Sequence, residues 1–332
     1  MKADIKALGL ILLGVSAFFA CTPKESSSEG GILCGISDYA NIEPCETVLL
    51  YPKGQDEDCG ITIDGTALTL GPIESNGLSG NETVSERGNI GNVTDSARLI
   101  IYLPEKRNGQ MVVICPGGGY ANLAMGHEGY RPAEWFAARG IASAILVYRM
   151  PNGHDRLPLR DVQNAFRYCR ARSSEWGIDQ IGVMGFSAGG HLAATASTLY
   201  TDSCTRPDFS ILIYPVVVFD DFSTHRGTFR NLTGGNVSLA DHYSAEKHID
   251  SDTPPAFLVS SANDAGVPPL NNYLYLTNLT AAGGYAEMYV APRGKHGWGF
   301  KNGEDDHLGK SSRQNFYFLL DNFLKTMRGK EL

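Results

Sequence analysis

Ten residues constrain this chain more than any others: Gly182-Val183-Met184-Gly185-Phe186-Ser187-Ala188-Gly189-Gly190-His191. The apolar run from Ile181 to Met184 reads as a short buried strand and the alanine-rich stretch from Ala188 to Leu199 as a helix, which puts Ser187 at the junction. So tight a turn forces the serine into a strained backbone conformation. Glycines two positions before and two after it leave room where a Cβ would strike the neighbouring strand or helix. The pattern is that of a nucleophile elbow, a hydroxyl thrust out of a sheet edge with the start of a helix behind it. With 38 glycines among 332 residues, G-x-S-x-G arises by chance with an expectation of about a few tenths per chain of this length, so context has to decide. The context required is a strand before, a helix after, a donor loop upstream, and an acid then a histidine downstream.

Each requirement is met. Met111 to Cys115 is a continuous apolar run of the kind buried on both faces of a sheet, and it ends in Pro116-Gly117-Gly118-Gly119-Tyr120. Successive glycines let the backbone approach a ligand closely with amide hydrogens outward, as an oxyanion hole requires, so Gly118 and Gly119 join Ala188 as its donors. Asp264 is the one carboxylate in Ser260-Ser261-Ala262-Asn263-Asp264-Ala265-Gly266-Val267-Pro268, and His296 follows the next strand in Lys295-His296-Gly297-Trp298-Gly299. In that order Ser187 is the nucleophile, His296 the base that takes and returns its proton, and Asp264 the group that orients the imidazole. Around them Tyr120, His127, Glu128 and His225 are candidate substrate contacts, and Trp298 a candidate wall for a sugar ring. His191, one turn into the elbow helix, reads as a packed, hydrogen-bonded residue.

The rest of the chain supplies a doubly wound α/β frame. Strands are expected at Arg98–Leu103, Ile141–Val147, Phe209–Tyr214, Ala256–Ser260 and Ala286–Val290. Helices are expected at Gly129–Arg139, Pro158–Glu175, Leu270–Ala282 and Arg313–Met327. The alternation stops between Pro215 and Pro254, and residues 215–254 read as a lid insertion at the carboxyl edge of the sheet. A chain of this length fits a single catalytic domain over residues 46–330.

Ahead of that domain, residues 1–20 read as an export signal: Lys2 and Lys6 give the positive start and Leu8 to Phe19 an apolar stretch too short for a comfortable membrane span. Phe18-Phe19-Ala20-Cys21 resembles a bacterial lipoprotein box, so Cys21 is the expected lipidation site and membrane anchor, with residues 21–45 as a polar tether. An exported protein can oxidise some of its other cysteines, and the N-terminal trio Cys34, Cys45 and Cys59 is the expected source of a bridge. Cys115 and Cys169 fall on core faces, where free thiols behave as small hydrophobes. A net charge of -8 with no basic cluster argues against a nucleic-acid partner. No C-x-x-C or H-E-x-x-H spacing points to a metal, and no cofactor is implied.

Several further segments resemble one family. They are Ile114-Cys115-Pro116-Gly117-Gly118-Gly119-Tyr120 with His127-Glu128-Gly129, Val147-Tyr148-Arg149-Met150-Pro151, Trp176-Gly177-Ile178, Arg206-Pro207-Asp208-Phe209, Asp252-Thr253-Pro254-Pro255-Ala256 and His296-Gly297-Trp298-Gly299-Phe300. Together with the elbow they resemble the α/β-hydrolase fold esterases of the acetylxylan and feruloyl esterase-like group, abundant among exported lipoproteins of gut Bacteroidetes. The resemblance runs from about Val48 to the C-terminal helix. It implies hydrolysis of acetyl or other short acyl esters on xylan-type plant oligosaccharides, with nucleophile, acid and base on Ser187, Asp264 and His296. Relatives often carry two acidic residues where this chain has Asn263-Asp264, which leaves Asp264 the only choice. A broader carboxylesterase, lipase-like or feruloyl-cleaving, would use the same triad with a different pocket. An exopeptidase related to prolyl oligopeptidase would call for a propeller-sized N-terminal domain, and a non-catalytic glycan-binding lipoprotein would have no need of the triad.

Overall fold

A computed structural model describes residues 43–51, 62–63, 66–67, 75–95, 97–220, 224–303 and 306–329. Among them the main sheet has eight strands: β1 (Glu46–Leu49), β2 (Arg98–Tyr102), β3 (Gln110–Cys115), β4 (Ala142–Val147), β5 (Gln180–Phe186), β6 (Ser210–Ile213), β7 (Ala256–Ser261) and β8 (Ala286–Ala291). Their spatial order is β1-β2-β4-β3-β5-β6-β7-β8. β2 runs antiparallel to β1 and β4, and from β4 to β8 every pairing is parallel. Each strand predicted from an apolar run is present within a residue or two of its expected limits, and β3 and β4 are buried along their whole length. Buried strands of this kind need cover on both faces, which the helices supply.

The helices are α1 (Arg131–Ala137), α2 (Arg156–Trp176), α3 (Ser187–Thr198), α4 (Arg226–Thr233), α5 (Ala240–Tyr243), α6 (Leu270–Ala281) and α7 (Lys310–Gly329). α2 turns Val162, Ala165, Phe166 and Cys169 inward at helical spacing. It ends at Gly177, whose φ of 63° lets the Ile178 amide reach back to Ser173 O at 2.8 Å. Pro158 sits in the first turn of α2, where its missing N–H costs nothing, so the helix begins two residues earlier than expected. α1 is shorter than expected because residues 126–130 form a π-helical turn before it. The 215–254 insertion carries α4, α5 and two short 3₁₀ turns.

Two polar features lock the sheet to its surroundings. Arg149, two residues beyond β4, is fully buried with its guanidinium 2.6 Å from Asp161 of α2, and Asp161 also accepts the Arg149 amide and the Tyr51 hydroxyl at 2.9 Å each. Removing either partner would strand a buried charge, which typically costs ~3–5 kcal/mol. Asn76 donates to the carbonyls of Val93 and Met150, tying the 75–95 segment to the turn after β4.

Cys45, Cys115, Cys169 and Cys204 are free thiols. Cys45 therefore does not supply the bridge expected of the N-terminal trio: the Leu103 amide donates to its sulfur at 3.3 Å beside the paired β1 and β2. Cys21, Cys34 and Cys59 lie outside the described residues, as do the expected signal and most of the tether. Among the described residues no helix is long and apolar enough to cross a membrane.

Candidate active site

Parallel strands that end on one side of a sheet bring their following loops together, and here four such loops converge. The glycine loop leaves β3, Ser187 follows β5, Asp264 lies beyond β7 and His296 beyond β8. Ser187 has φ 52°, the left-handed strain expected of an elbow, and its carbonyl is held by the Val216 amide at 3.1 Å. Gly189 makes the elbow possible, since a Cβ there would collide with the carbonyl oxygens of Cys115 and Pro116.

His296 Nε2 stands 2.8 Å from Ser187 Oγ and Nδ1 stands 2.7 Å from Asp264 Oδ2. A carboxylate can only accept, so Nδ1 carries the ring proton and Nε2 is left to accept from the serine hydroxyl. The Asp264 side chain is 0 % exposed and that of His296 28 %, so the site opens to solvent on the histidine side. Asp264 Oδ1 accepts the amides of Gly266 and Val267 at 2.9 Å each, which fixes the carboxylate from behind. Asn263 also contributes: its Oδ1 accepts the Lys295 amide at 3.0 Å and so ties the acid loop to the histidine loop. Sequence showed Asn263 only as a departure from an acidic pair.

The glycine loop packs directly on the elbow. A Cβ on Gly117 would lie 2.6 Å from Phe186 O and 3.0 Å from Ser187 Cβ. Gly118 and Gly119 follow with φ 132° and 66°. Their carbonyls are turned inward, Gly118 O accepting the Ala121 and Asn122 amides and Gly119 O accepting Asn231 Nδ2 at 2.8 Å. Neither of their own amides donates to a described acceptor. Ala188, second residue of α3, carries one of the four N-terminal amides that lack an intrahelical acceptor.

Burial removes Trp298 and Glu128 from the expected substrate contacts and turns the hydroxyl of a third, Tyr120, away from solvent. Trp298 is 0 % exposed: its Nε1–H donates to Ser261 Oγ at 2.9 Å and its ring packs on Tyr214 and Phe316, so it is core and offers no sugar wall. Tyr120 turns its hydroxyl inward to His191 Nδ1 at 2.9 Å and packs against Tyr148. Glu128 lies beneath the glycine loop, accepting the Gly117 amide and the Tyr214 hydroxyl at 2.8 Å each. Burial raises the Glu128 carboxyl above its ordinary value against the lowering effect of those two bonds. Glu128 is thus a clamp on the loop. His127 stays half-buried beside it, its carbonyl accepting the Phe300 amide of the histidine loop at 2.8 Å.

Tyr214 escaped sequence reasoning. It follows β6 with φ 38°, its ring meets the His296 imidazole edge-on at 4.9 Å, and its hydroxyl accepts the Gly299 amide at 2.7 Å while donating to Glu128. The only sequence signal is a tyrosine closing an apolar strand just before Pro215. His225 caps α4: its Nδ1 accepts the Thr228 amide at 3.2 Å, which leaves the ring proton on Nε2. Burial lowers its pKa, and so does the facing His296. His191 is packed as expected. It donates Nε2–H to Tyr243 O at 2.8 Å, and burial pushes its pKa down to about 4. Among the described residues no group of three His, Cys, Asp or Glu side chains is placed to hold a metal.

The BD-FAE family model matches residues 99–213, a stretch that holds the glycine loop and Ser187 and stops short of Asp264 and His296. An acetyl ester-xyloside bifunctional hydrolase from Caldicellulosiruptor lactoaceticus superimposes with a TM-score of 0.63 at 27% identity, over 84% of this chain and 98% of that one. The fold is the α/β-hydrolase fold. In sequence, the chain is 37% identical over 212 residues to an acetylxylan esterase of Xylanibacter ruminicola, covering 61% of this chain and 44% of the relative. It is 34% identical over 211 residues to endo-1,4-beta-xylanase B of Butyrivibrio fibrisolvens, covering 58% and 33%. The chain therefore spans less than half the length of either of these curated relatives. The chain has the α/β-hydrolase fold and is related in sequence to these proteins, and its Ser187–His296–Asp264 geometry is compatible with serine hydrolase chemistry.

Proposed function

We propose that the protein is a serine esterase that removes acetyl groups from xylan-type oligosaccharides. The observation that supports the serine-nucleophile part of this reading is the unbroken relay from Asp264 Oδ2 through the His296 ring to Ser187 Oγ, at 2.7 and 2.8 Å. Ser187 Oγ attacks the acetyl carbonyl as His296 Nε2 takes its proton, and the amides of Gly118, Gly119 and Ala188 hold the oxyanion, each such donor being worth about 3 kcal/mol of barrier. The tetrahedral intermediate collapses with the proton passing from Nε2 to the departing sugar oxygen, leaving acetyl-Ser187. Water attacks next, giving its proton to Nε2, and acetate leaves as Ser187 is reprotonated. His225 presents its Nε2–H to the substrate from the insertion.

The names of the relatives favour the acetyl and xylan assignment. The export signal and lipidation of Cys21, which rest on sequence alone, put the enzyme outside the cytoplasm on a lipid anchor. The experiment is acetate release from acetylated xylo-oligosaccharides, run beside methyl ferulate and a dipeptide anilide. We expect acetate release that falls at least ~10³-fold in Ser187→Ala. Turnover of ferulate alone would favour a feruloyl esterase, and of the anilide alone a peptidase.

A further inference from the structure

A cavity of about 550 Å³ lies between the glycine loop at Tyr120, the 75–95 segment at Asn92, the turn at Asn152 and helix α4 at Arg230 and Asn231. Its size falls within the ~300–1,000 Å³ of small-molecule sites. No triad residue lines it.

The chemistry of its wall is specific. Three asparagines line it, and each has committed its amide nitrogen to the backbone: Asn92 to the carbonyls of Ser79 and Asn81, Asn152 to that of Asn76, and Asn231 to that of Gly119. Asn152 is exposed and Asn92 and Asn231 are half-buried, and among the described residues no donor reaches any of the three Oδ1 atoms, so each side chain is anchored through its nitrogen with its oxygen able to accept from a ligand. Asn92, Asn152 and Tyr120 have φ of 54°, 46° and 59°. Asparagine adopts this left-handed region readily, so the strained residue of the three is Tyr120, at a cost of ~1–3 kcal/mol of the kind that concentrates at functional sites. Arg230 adds an exposed guanidinium with no ion-pair partner among the described residues.

Solvent-facing amide oxygens can accept from sugar hydroxyls, and an exposed guanidinium with no ion-pair partner among the described residues can bind a carboxylate. Resting on the glycan-ester reading above, we propose that this cavity is a subsite for a uronic acid residue of the acylated oligosaccharide. Its hydroxyls donate to Oδ1 of Asn92, Asn152 and Asn231, and its carboxylate accepts from Arg230. The subsite and the catalytic centre share the glycine loop: Asn231 grips Gly119 from one side, and the backbone of Gly117 packs on Ser187 from the other. An acidic sugar held here therefore helps to place a neighbouring acetyl ester at the nucleophile.

The test compares kcat/KM for acetylated xylo-oligosaccharides with and without a uronic acid branch, with p-nitrophenyl acetate as the glycan-free control. We expect the branched substrate to be preferred about fivefold through a lower KM. The ratio should shrink toward one in Arg230→Gln or in 0.5 M salt, and be partly retained in Arg230→Lys. A ratio of one in the unaltered protein, or a preference that survives Arg230→Gln, overturns the proposal. If only p-nitrophenyl acetate is cleaved, the glycan-ester reading is the one that fails. Calorimetry with deacetylated branched and unbranched oligosaccharides then decides the subsite: Arg230-dependent binding of the branched one upholds it, and equal or absent binding ends it.

Discussion

Asp264→Asn separates the two duties of one side chain. Oδ1 accepts the Gly266 and Val267 amides at 2.9 Å each, and Oδ2 accepts Nδ1–H of His296 at 2.7 Å. Asparagine keeps the first oxygen and both of its donors, and replaces the second with an NH₂ group that can only donate. Nδ1 of His296 must then accept, so the ring proton moves to Nε2, where it faces Ser187 Oγ instead of receiving its proton. A histidine locked in that tautomer loses ~10⁴ in kcat, or ~5 kcal/mol of barrier. Folding should lose only about 1 kcal/mol, because the backbone contacts persist. Asp264→Ala inverts the balance: it frees the imidazole to choose its tautomer, but leaves two amides without their acceptor at ~1–3 kcal/mol each. Turnover of p-nitrophenyl acetate and urea unfolding midpoints read the two effects separately. Both variants should be at least ~10³-fold slower, with the asparagine variant the more stable of the pair. An asparagine variant within tenfold of the parent kcat would refute the tautomer argument, and equal midpoints would refute the backbone one.

Gly117→Ala would drive a Cβ to 2.6 Å from Phe186 O and 2.7 Å from Glu128 Oε2, so the loop must shift. We expect more than tenfold loss of kcat/KM with KM little changed, and an unaffected rate would mean that the loop is not held against the elbow. His191 has a folded pKa of about 4 against an ordinary value near 6.5, so its contribution is full above about pH 6.5 and is lost as pH falls toward 4. This amounts to ~3 kcal/mol between pH 7 and 4. Glu128 acts in the opposite sense, so the measurement is the difference in urea stability between His191→Gln and the parent across that range, and parallel pH profiles would contradict the assignment. Trp298→Phe strips Ser261 Oγ of its donor and should cost ~1–3 kcal/mol of stability with the ranking of ester substrates unchanged. A changed ranking would return Trp298 to the substrate.

Sequence carried most of the frame because the strands here are apolar runs buried on both faces, and because Ser187, Asp264 and His296 are fixed by order as much as by composition. It failed where a side chain's direction depends on a distant partner. The indole of Trp298 follows Ser261 and Phe316, the hydroxyl of Tyr120 follows His191, and the carboxylate of Glu128 follows Gly117 and Tyr214, none of which periodicity can pair with it. Arg149 stood in a recognised segment with no role, and its role is a buried pair with Asp161. Tyr214 was invisible for the opposite reason: an aromatic residue at the end of a core strand looks like core until the histidine loop closes over it.

The bond from Asn231 Nδ2 to Gly119 O makes α4 a brace for the glycine loop. Exchanging this helix for that of another hydrolase to retune acyl preference would unpin the turn on which catalysis depends, unless the donor segment carried an amide at the same place. A chimera without one would become sluggish before it became selective.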